Sequence, residues 1–462
     1  LCAKVADKGK AEMKGFSRTL EKHWTGENIP PQSEPVMVEL KGKLPGDGEL
    51  LCIDLYDTDR HIVTICFDSS NKEMTVNYNR ADRASRYGIR TVPCEMMEKE
   101  TDIDILIDGN TFTLLWEHGL YRYTGKLYPQ GNIGVDIKYR TKRHYDITSL
   151  GEILIDFTGK KESERQTLSY TQNPGGAPAN VVVAAQRLGA QTAFIGKIGE
   201  DFLGDFLKET LDKCGVSTEG LISDADYFTT LAFVKLADNG ERNFAFARKP
   251  GADMFLRTTD VKEKDIDDST IIHAGSCSLS AESVASATRK AMQYGHHQEK
   301  IVSFDINYRN LMWKNEKDKC INAVHEILPY VDILKISEEE LDMVGGEDNI
   351  EKVMQENELT TVVLTLGSEG AKVFFKGEVF SIPGKKVKAV DATGAGDAFW
   401  GGFLSSLLIQ GVKKTSDITE EALRKAMEYG NYSGALCVQK KGAISSLPTR
   451  AEIEELIRSN AL

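Results

Sequence analysis

No Cys-x-x-Cys pair occurs among the eight cysteines (Cys2, Cys52, Cys66, Cys94, Cys214, Cys277, Cys320 and Cys437). Their scatter speaks against a zinc ribbon or a disulfide frame and is the usage expected of reduced, mostly buried thiols in a cytoplasmic protein. No apolar run approaches the roughly 20 residues that span a bilayer, and no signal peptide is visible, so no membrane partner is expected. Positive charge is also short: 57 Lys and Arg face 70 Asp and Glu, a net charge of -13. That balance argues against nucleic acid and anionic membrane as partners, so any phosphate site must be a local nest of donors. Proline is sparse at 12, and no Pro/Gly/Ser-rich linker interrupts the chain. What remains is ordinary for a globular protein, 41% hydrophobic and 27% charged. A length of 462 residues is enough for two or three domains. The chain begins at Leu1 and not at Met, as expected of a piece of something longer.

Residues 1–35 are polar and lysine-rich and read as a helix or tail, or the remnant of a longer protein, with a loop at Pro30-Pro31. From Val36 the period becomes two. Runs such as Leu50–Asp54, Ile62–Phe67, Met74–Tyr78, Ile103–Ile107 and Phe112–Trp116 alternate, with Gly, Asn and Asp clustered between them. Many short strands without helices predict an antiparallel sandwich over 36–143. Lys72–Arg80 and Asp104–Trp116, continued by Gly119 and Lys126–Pro129, resemble the C-terminal β-sandwich of glycoside hydrolase family 32, the invertase-like enzymes. Asn79 and Thr113 depart from that pattern, which usually carries Asp and Glu there. In that family the catalytic carboxylates belong to a preceding propeller, which residues 1–35 are too short to supply. The carboxylates Asp54, Asp57, Asp59, Asp68, Asp102, Asp104 and Asp108 are expected at turns and solvent faces, and the module is expected to have no chemistry of its own. A carbohydrate-binding role is the alternative.

From 145 to 462 strands and helices alternate, as in Thr192–Ile198 before Phe202–Lys213 and Ile301–Asp305 before Lys317–Leu328. This predicts an α/β fold with a mostly parallel sheet between helices and ligands at the strands' carboxyl ends. Ile147–Phe157 reads as one strand bent at Gly151. Segments around 160–170 and 226–248, the second a hairpin with an Asn-Gly signal at 239–240, predict a small β lid. A lid excludes water from a reaction; the plainer reading is an edge extension that only dimerises.

The stretch Asp391-Ala-Thr-Gly-Ala-Gly-Asp397 opens an apolar helix, and its glycines let successive N–H groups converge on an anion at the helix N-terminus. A carboxylate there is repelled by phosphate unless it serves as proton acceptor beside a phosphoryl group in transfer. The plain alternative is a Gly-rich cap. Asn173-Pro-Gly-Gly-Ala-Pro-Ala-Asn180 is a second Gly-rich turn, where Asn180 in a first helical turn offers a donor and an acceptor to a polyol. Asp156 would otherwise be a strand-end cap and Arg309 a surface residue.

Together, in order, these motifs resemble the ribokinase-like carbohydrate kinases, and among them the fructokinases. The resemblance implies Asp397 as base, with Gly394, Ala395 and Gly396 as the anion nest and Arg309, from Asp305-Ile-Asn-Tyr-Arg309, near the transferring phosphate. It implies Asp156, Gly175, Gly176, Asn180, Arg248 and Asp253 as sugar ligands. Lys335, Thr365, Gly367, Gly370 and Asn431 fall on the nucleotide side. Glu340 matches the residue that orders the magnesium shell through water, although Ser337 stands where the general family has Asn. Asp391 and the 439–444 turn match a monovalent-cation (K+) loop. The implied cofactors are ATP and Mg2+, and the implied assembly is a homodimer through the lid. Ribose or nucleoside kinases, and a sensor that has lost turnover, stay open.

Overall fold

The computed structural model describes eleven strands between residues 14 and 141, and residues 144–459 continuously apart from 163–166 and 237–241. The chain divides into two compact units between Arg143 and His144.

In the first unit, five strands pair in the order Lys14–Thr19, Val36–Lys43, Glu100–Asp108, Thr111–Trp116 and Tyr121–Lys126. Six more pair in the order His23–Thr25, Ile133–Thr141, Glu49–Asp57, Arg60–Asp68, Glu73–Tyr78 and Arg90–Pro93. All neighbours are antiparallel except the first pair, which is parallel. Ile53, Leu55 and Ile65 on one sheet, and Ile105, Phe112 and Leu114 on the other, are fully buried, the inward half of each alternation. The opening segment is not a helix or free tail where it is described: 14–19 and 23–25 are strands at one edge of each sheet. Pairing to a longer neighbour supplies what their weak local pattern does not show. Asn79 and the side chains of the seven carboxylates lie outside the described residues.

The second unit is a nine-stranded sheet between helices. Its elements begin with β1 (Tyr145–Leu150), β2 (Leu154–Glu162), β3 (Thr167–Gly175), α1 (Ala177–Arg187), β4 (Thr192–Gly199), α2 (Phe202–Lys213) and β5 (Ser217–Asp224). There follow β6 (Leu231–Leu236), β7 (Arg242–Ala247), α3 (Glu263–Asp267), β8 (Ser269–Gly275), α4 (Glu282–His297), β9 (Ile301–Asp305), α5 (Lys317–Ile327) and β10 (Ile333–Ser337). The last are α6 (Ile350–Asn357), β11 (Thr361–Thr365), β12 (Gly370–Phe375), β13 (Glu378–Pro383), α7 (Ala395–Ile409), α8 (Glu420–Cys437) and α9 (Arg450–Ser459). The sheet order is β5-β4-β1-β8-β9-β10-β11-β12-β13, parallel from β5 to β11 and antiparallel beyond. Strands β4, β8 and β9 are buried throughout, which requires cover on both faces.

The expected continuous strand at 147–157 is two strands in two sheets. At Gly151–Ile153 the chain leaves the main sheet, and β2 joins β3, β6 and β7 in a four-stranded lid ordered β3-β2-β6-β7. Buried apolar residues flank the break, Leu150 on one side and Ile153, Leu154 and Ile155 on the other. The Asn-Gly turn of the lid lies outside the described residues. After β10, residues Glu338–Val344 form a 3-10 helix that stops at Gly345 with φ 84°.

Helix α7 is apolar on nearly every side and is buried from Asp397 to Leu407. Glycine sets how closely its neighbours approach. A Cβ at Gly401 would fall 2.5 Å from Ala184 Cβ on α1, and one at Gly402 would fall 2.8 Å from Ser433 Cβ on α8. Beneath it, Trp400 Nε1 donates to Ser303 Oγ on β9 at 3.0 Å. The helix that begins with Asp397 is thus fastened to the centre of the sheet.

Candidate active site

The first turns of α1 and α7 meet the ends of β9 and β10, and charged groups of the sequence motifs gather there. Asp397, 6% exposed, lies in the first turn of α7. Its Oδ2 accepts from Asn180 Nδ2 at 2.7 Å and its Oδ1 from Asn307 Nδ2 at 3.3 Å. Two neutral amides with fixed hydrogen-bond geometry aim the carboxylate. Asn180 was expected to face a polyol with both ends of its amide. Instead its nitrogen is given to Asp397, and its buried Oδ1 has no partner among the described residues. Asn307 was not among the expected site residues. It sits at φ 38°, just past β9, and no spacing rule shows that such a turn aims its side chain at a residue 90 positions on.

Helix α7 starts at Gly394, φ 78°, with no side chain capping it. A Cβ at Gly394 would press to 3.2 Å on Ala443 Cα, so packing and φ both require glycine there. Gly396 differs: a Cβ would meet only Lys335 Nζ, at 3.6 Å. Packing does not demand glycine at 396, which leaves the space in front of the helix open to a ligand. Lys335 lies below that space, paired with Asp305 Oδ2 at 2.7 Å. Burial alone would lower its pKa; Asp305 and Glu340 outweigh that and raise it, so the ammonium stays charged. Arg309, at the end of the same motif, is exposed, and its guanidinium makes one long contact to Tyr308 O at 3.3 Å.

At the other end stand the residues expected to meet a sugar. Asp156 on β2 and Gly175 on β3 are at the base of the lid, where a Cβ on 175 would come 2.4 Å from Asp156 Oδ2. Gly176, φ 113°, is pressed equally hard against the backbone of Glu152, 2.4 Å from its carbonyl oxygen. The paired glycines are thus required by the chain's own close approach. Arg248 and Asp253 were expected to point at substrate. They are 6% and 3% exposed and hold each other, with Arg248 Nε 2.8 Å and Nη2 2.7 Å from Asp253 Oδ2. Arg248 Nη1 also donates to Ser280 Oγ at 2.9 Å, and Asp253 Oδ1 accepts from Thr230. In this conformation the pair ties the end of β7 to the main body.

On the nucleotide side, Gly367 and Gly370, φ 54° and 101°, bracket a 3-10 turn after β11, and Thr365 Oγ1 donates to Ile336 O at 3.2 Å. Asn431 gives its amide to the carbonyls of Ile382 and Pro383, which fixes the end of β13. Glu340 accepts from the backbone of Tyr308 at 2.6 Å and of Ser337 at 2.9 Å. Each of its oxygens keeps a lone pair for a water. Asp391 accepts from Thr393 N at 2.8 Å and Gly442 N at 3.1 Å, so it joins the two loops expected to hold a monovalent cation. Among the described residues no group of three or more His, Cys, Asp or Glu could cage a metal. A divalent ion here would have to arrive on a phosphate chain, with water between it and Glu340. Cys214, Cys277, Cys320 and Cys437 are free thiols.

The model of the pfkB family carbohydrate kinases matches residues 145–450. Fructokinase-1 of Oryza sativa subsp. japonica is 38% identical over 319 residues, covering 68% of this chain and 98% of the rice protein. The crystal structure of fructokinase with bound ATP from Xylella fastidiosa is similar at a TM-score of 0.64 and 30% identity, over 69% of this chain and 99% of that one. Fructokinase from Vibrio cholerae O395, in a form with fructose, ADP and calcium ion, is similar at 0.60 and 31%, over 67% and 98%.

Proposed function

The chain belongs to the pfkB family of carbohydrate kinases, and we propose that it transfers the γ-phosphoryl group of magnesium-bound ATP to fructose, giving fructose 6-phosphate. The observation that carries this reading is Asp397, aimed by Asn180 and Asn307 at the mouth of an uncapped helix N-terminus. Asp397 takes the proton of the primary hydroxyl as the oxygen attacks phosphorus. The N–H groups of Gly394, Ala395 and Gly396 and the positive end of α7 stabilise charge on the phosphoryl oxygens. Lys335 and Arg309 add cations, each already interacting with Asp305, Glu340 and Asp397. Magnesium would be held through water by Glu340, whose oxygens accept from the backbone of Tyr308 and Ser337, and would supply positive charge to the phosphates. Asp156, the 175–176 turn and, on lid closure, Arg248 and Asp253 define the sugar side. Thr365 and the 367–370 turn border the nucleotide.

Fructose is favoured by the names of the relatives, and by the fructose and ADP in the Vibrio cholerae structure. A sensor without turnover is disfavoured because Asp397, its two amide partners and the glycine nest are all intact. Phosphorylation rates over a panel of fructose, glucose, ribose, 2-keto-3-deoxygluconate and adenosine test the choice. Fructose should lead by kcat/KM; a nucleoside in the lead would replace this reading. Further parts of the proposal rest on the sequence alone: an invertase-like sandwich without hydrolytic activity at 36–143 and a potassium ion near Asp391 from resemblance, a homodimer through the lid from the hairpin, and a cytoplasmic location from the cysteine usage. No described helix is long and apolar enough to cross a membrane.

A further inference from the structure

Glu152 sits in the break between β1 and β2, 4% exposed, and nothing above gives it work. Its Oε1 accepts from Ala177 N at 3.2 Å, the first residue of α1, whose N-cap Gly176 has no side chain to offer. The carboxylate therefore caps, from a distance, the helix whose next turn carries Asn180. Its other oxygen, Oε2, is buried with no partner among the described residues. The charged and titratable groups that face it are Arg248 and Asp253, with the Cys277 thiol on the third side. One carboxyl group thus touches the turn before Asn180 and stands beside the ion pair at the lid base.

We propose that Glu152 is a positioning residue for the sugar end of the site, setting the 175–177 turn and the Arg248–Asp253 pair in place through its ionised carboxylate. The inference rests on the sugar-kinase reading and extends it. Burial, and then Asp253, push the Glu152 pKa from its ordinary 4.5 up to about 7, against the pull of Arg248 and of backbone N–H donors. The group therefore changes charge across neutral pH. The ionised form grips the Ala177 N–H and the positive end of α1 more strongly than the neutral one. Sugar affinity should then fall as the pH drops through about 7, with the transfer step less affected, because Asp397 is also held by Asn307 and by its own place on α7.

The test is steady-state kinetics at saturating MgATP for wild type, Glu152→Gln and Glu152→Ala. In wild type the KM for fructose should be roughly threefold to tenfold higher at pH 6 than at pH 8. Glu152→Gln keeps an acceptor for Ala177 N but cannot ionise. Its KM should be flat between those pH values and close to the wild-type value at pH 6. Glu152→Ala should raise the KM for fructose more than about tenfold at both pH values, with the KM for ATP unchanged. A glutamine variant with the wild-type pH slope, or one that loses kcat and both KM values alike, would overturn the proposal. A readout without substrate accompanies it. A folded pKa above the unfolded one adds stability at low pH that is lost as pH rises through about 7. The Tm of Glu152→Gln relative to wild type should therefore move by about 3 °C in the variant's favour from pH 5 to pH 8. A constant difference would show that Glu152 does not titrate there and would end the proposal. If another sugar leads the panel, the same comparison is made with that sugar, so the fructose reading and the Glu152 proposal fail separately.

Discussion

At the phosphate end of the site a carboxylate is aimed by neutral amides, whereas at the sugar end carboxylates are held by charge and burial. Asp397 has Asn180 and Asn307 as partners and stands on a helix fastened through Trp400 to the middle of the sheet. Asp253 has Arg248, Thr230 and the neighbouring charge of Glu152, and stands beside a lid whose strands leave the main sheet at Gly151–Ile153. The difference fits the tasks. A group that must accept a proton has to be aimed at its donor, and two amide hydrogen bonds of fixed direction do that. A hinge that must hold a lid in register gains from a buried ion pair, since either partner alone is costly to leave unpaired. The comparison predicts that changes at the first end cost rate and changes at the second cost stability and sugar affinity.

The largest effect expected is at Asp397. Asp397→Asn should lower kcat by roughly 10²- to 10⁴-fold, as for loss of a general base, with ATP affinity and Tm nearly unchanged. Near-normal turnover in a folded variant would remove Asp397 from its role. Arg248→Ala should break the comparison at its other end. It leaves Asp253 buried and unpaired and should cost about 3–5 kcal/mol of stability, read from denaturant midpoints. A variant that keeps its stability but loses only sugar binding would mean that Arg248 faces substrate after all. Smaller again, Asn307→Ala removes the longer of the two bonds to Asp397 and should lower kcat by about tenfold while leaving the KM for fructose in place. The smallest change is expected from cutting the chain before His144. Residues 144–462 have their own buried core and every group invoked here. Their rate should match that of the full chain; a folded but inactive fragment would show that the first unit takes part.

The alternation of strand and helix after 145 made the parallel sheet legible, and the order of the Gly-rich turns at 174–176 and 394–396 made its ligand edge legible. Other features were not. Gly151 marked a bend in Ile147–Phe157, but nothing in the pattern shows that the chain passes there from one sheet to another. Arg248 and Asp253 were expected at the substrate from the resemblance of their loop, and no sequence pattern shows that they also pair with each other. Asn307 and Glu152 act through contacts across 90 and 25 positions, and only the fold brings those together. Gly175 and Gly176 are both too close to their surroundings for a side chain, Gly175 to the Asp156 carboxylate and Gly176 to the backbone of Glu152.

The central claim is phosphoryl transfer from ATP to the primary hydroxyl of fructose at the mouth of α7, and phosphorus NMR of the reaction tests it most directly. Purified chain with fructose, ATP and Mg2+ should yield fructose 6-phosphate and ADP in equal amounts, with no ADP formed when the sugar is left out. ADP released without a sugar phosphate, or no turnover from folded protein that binds both substrates, would contradict the account.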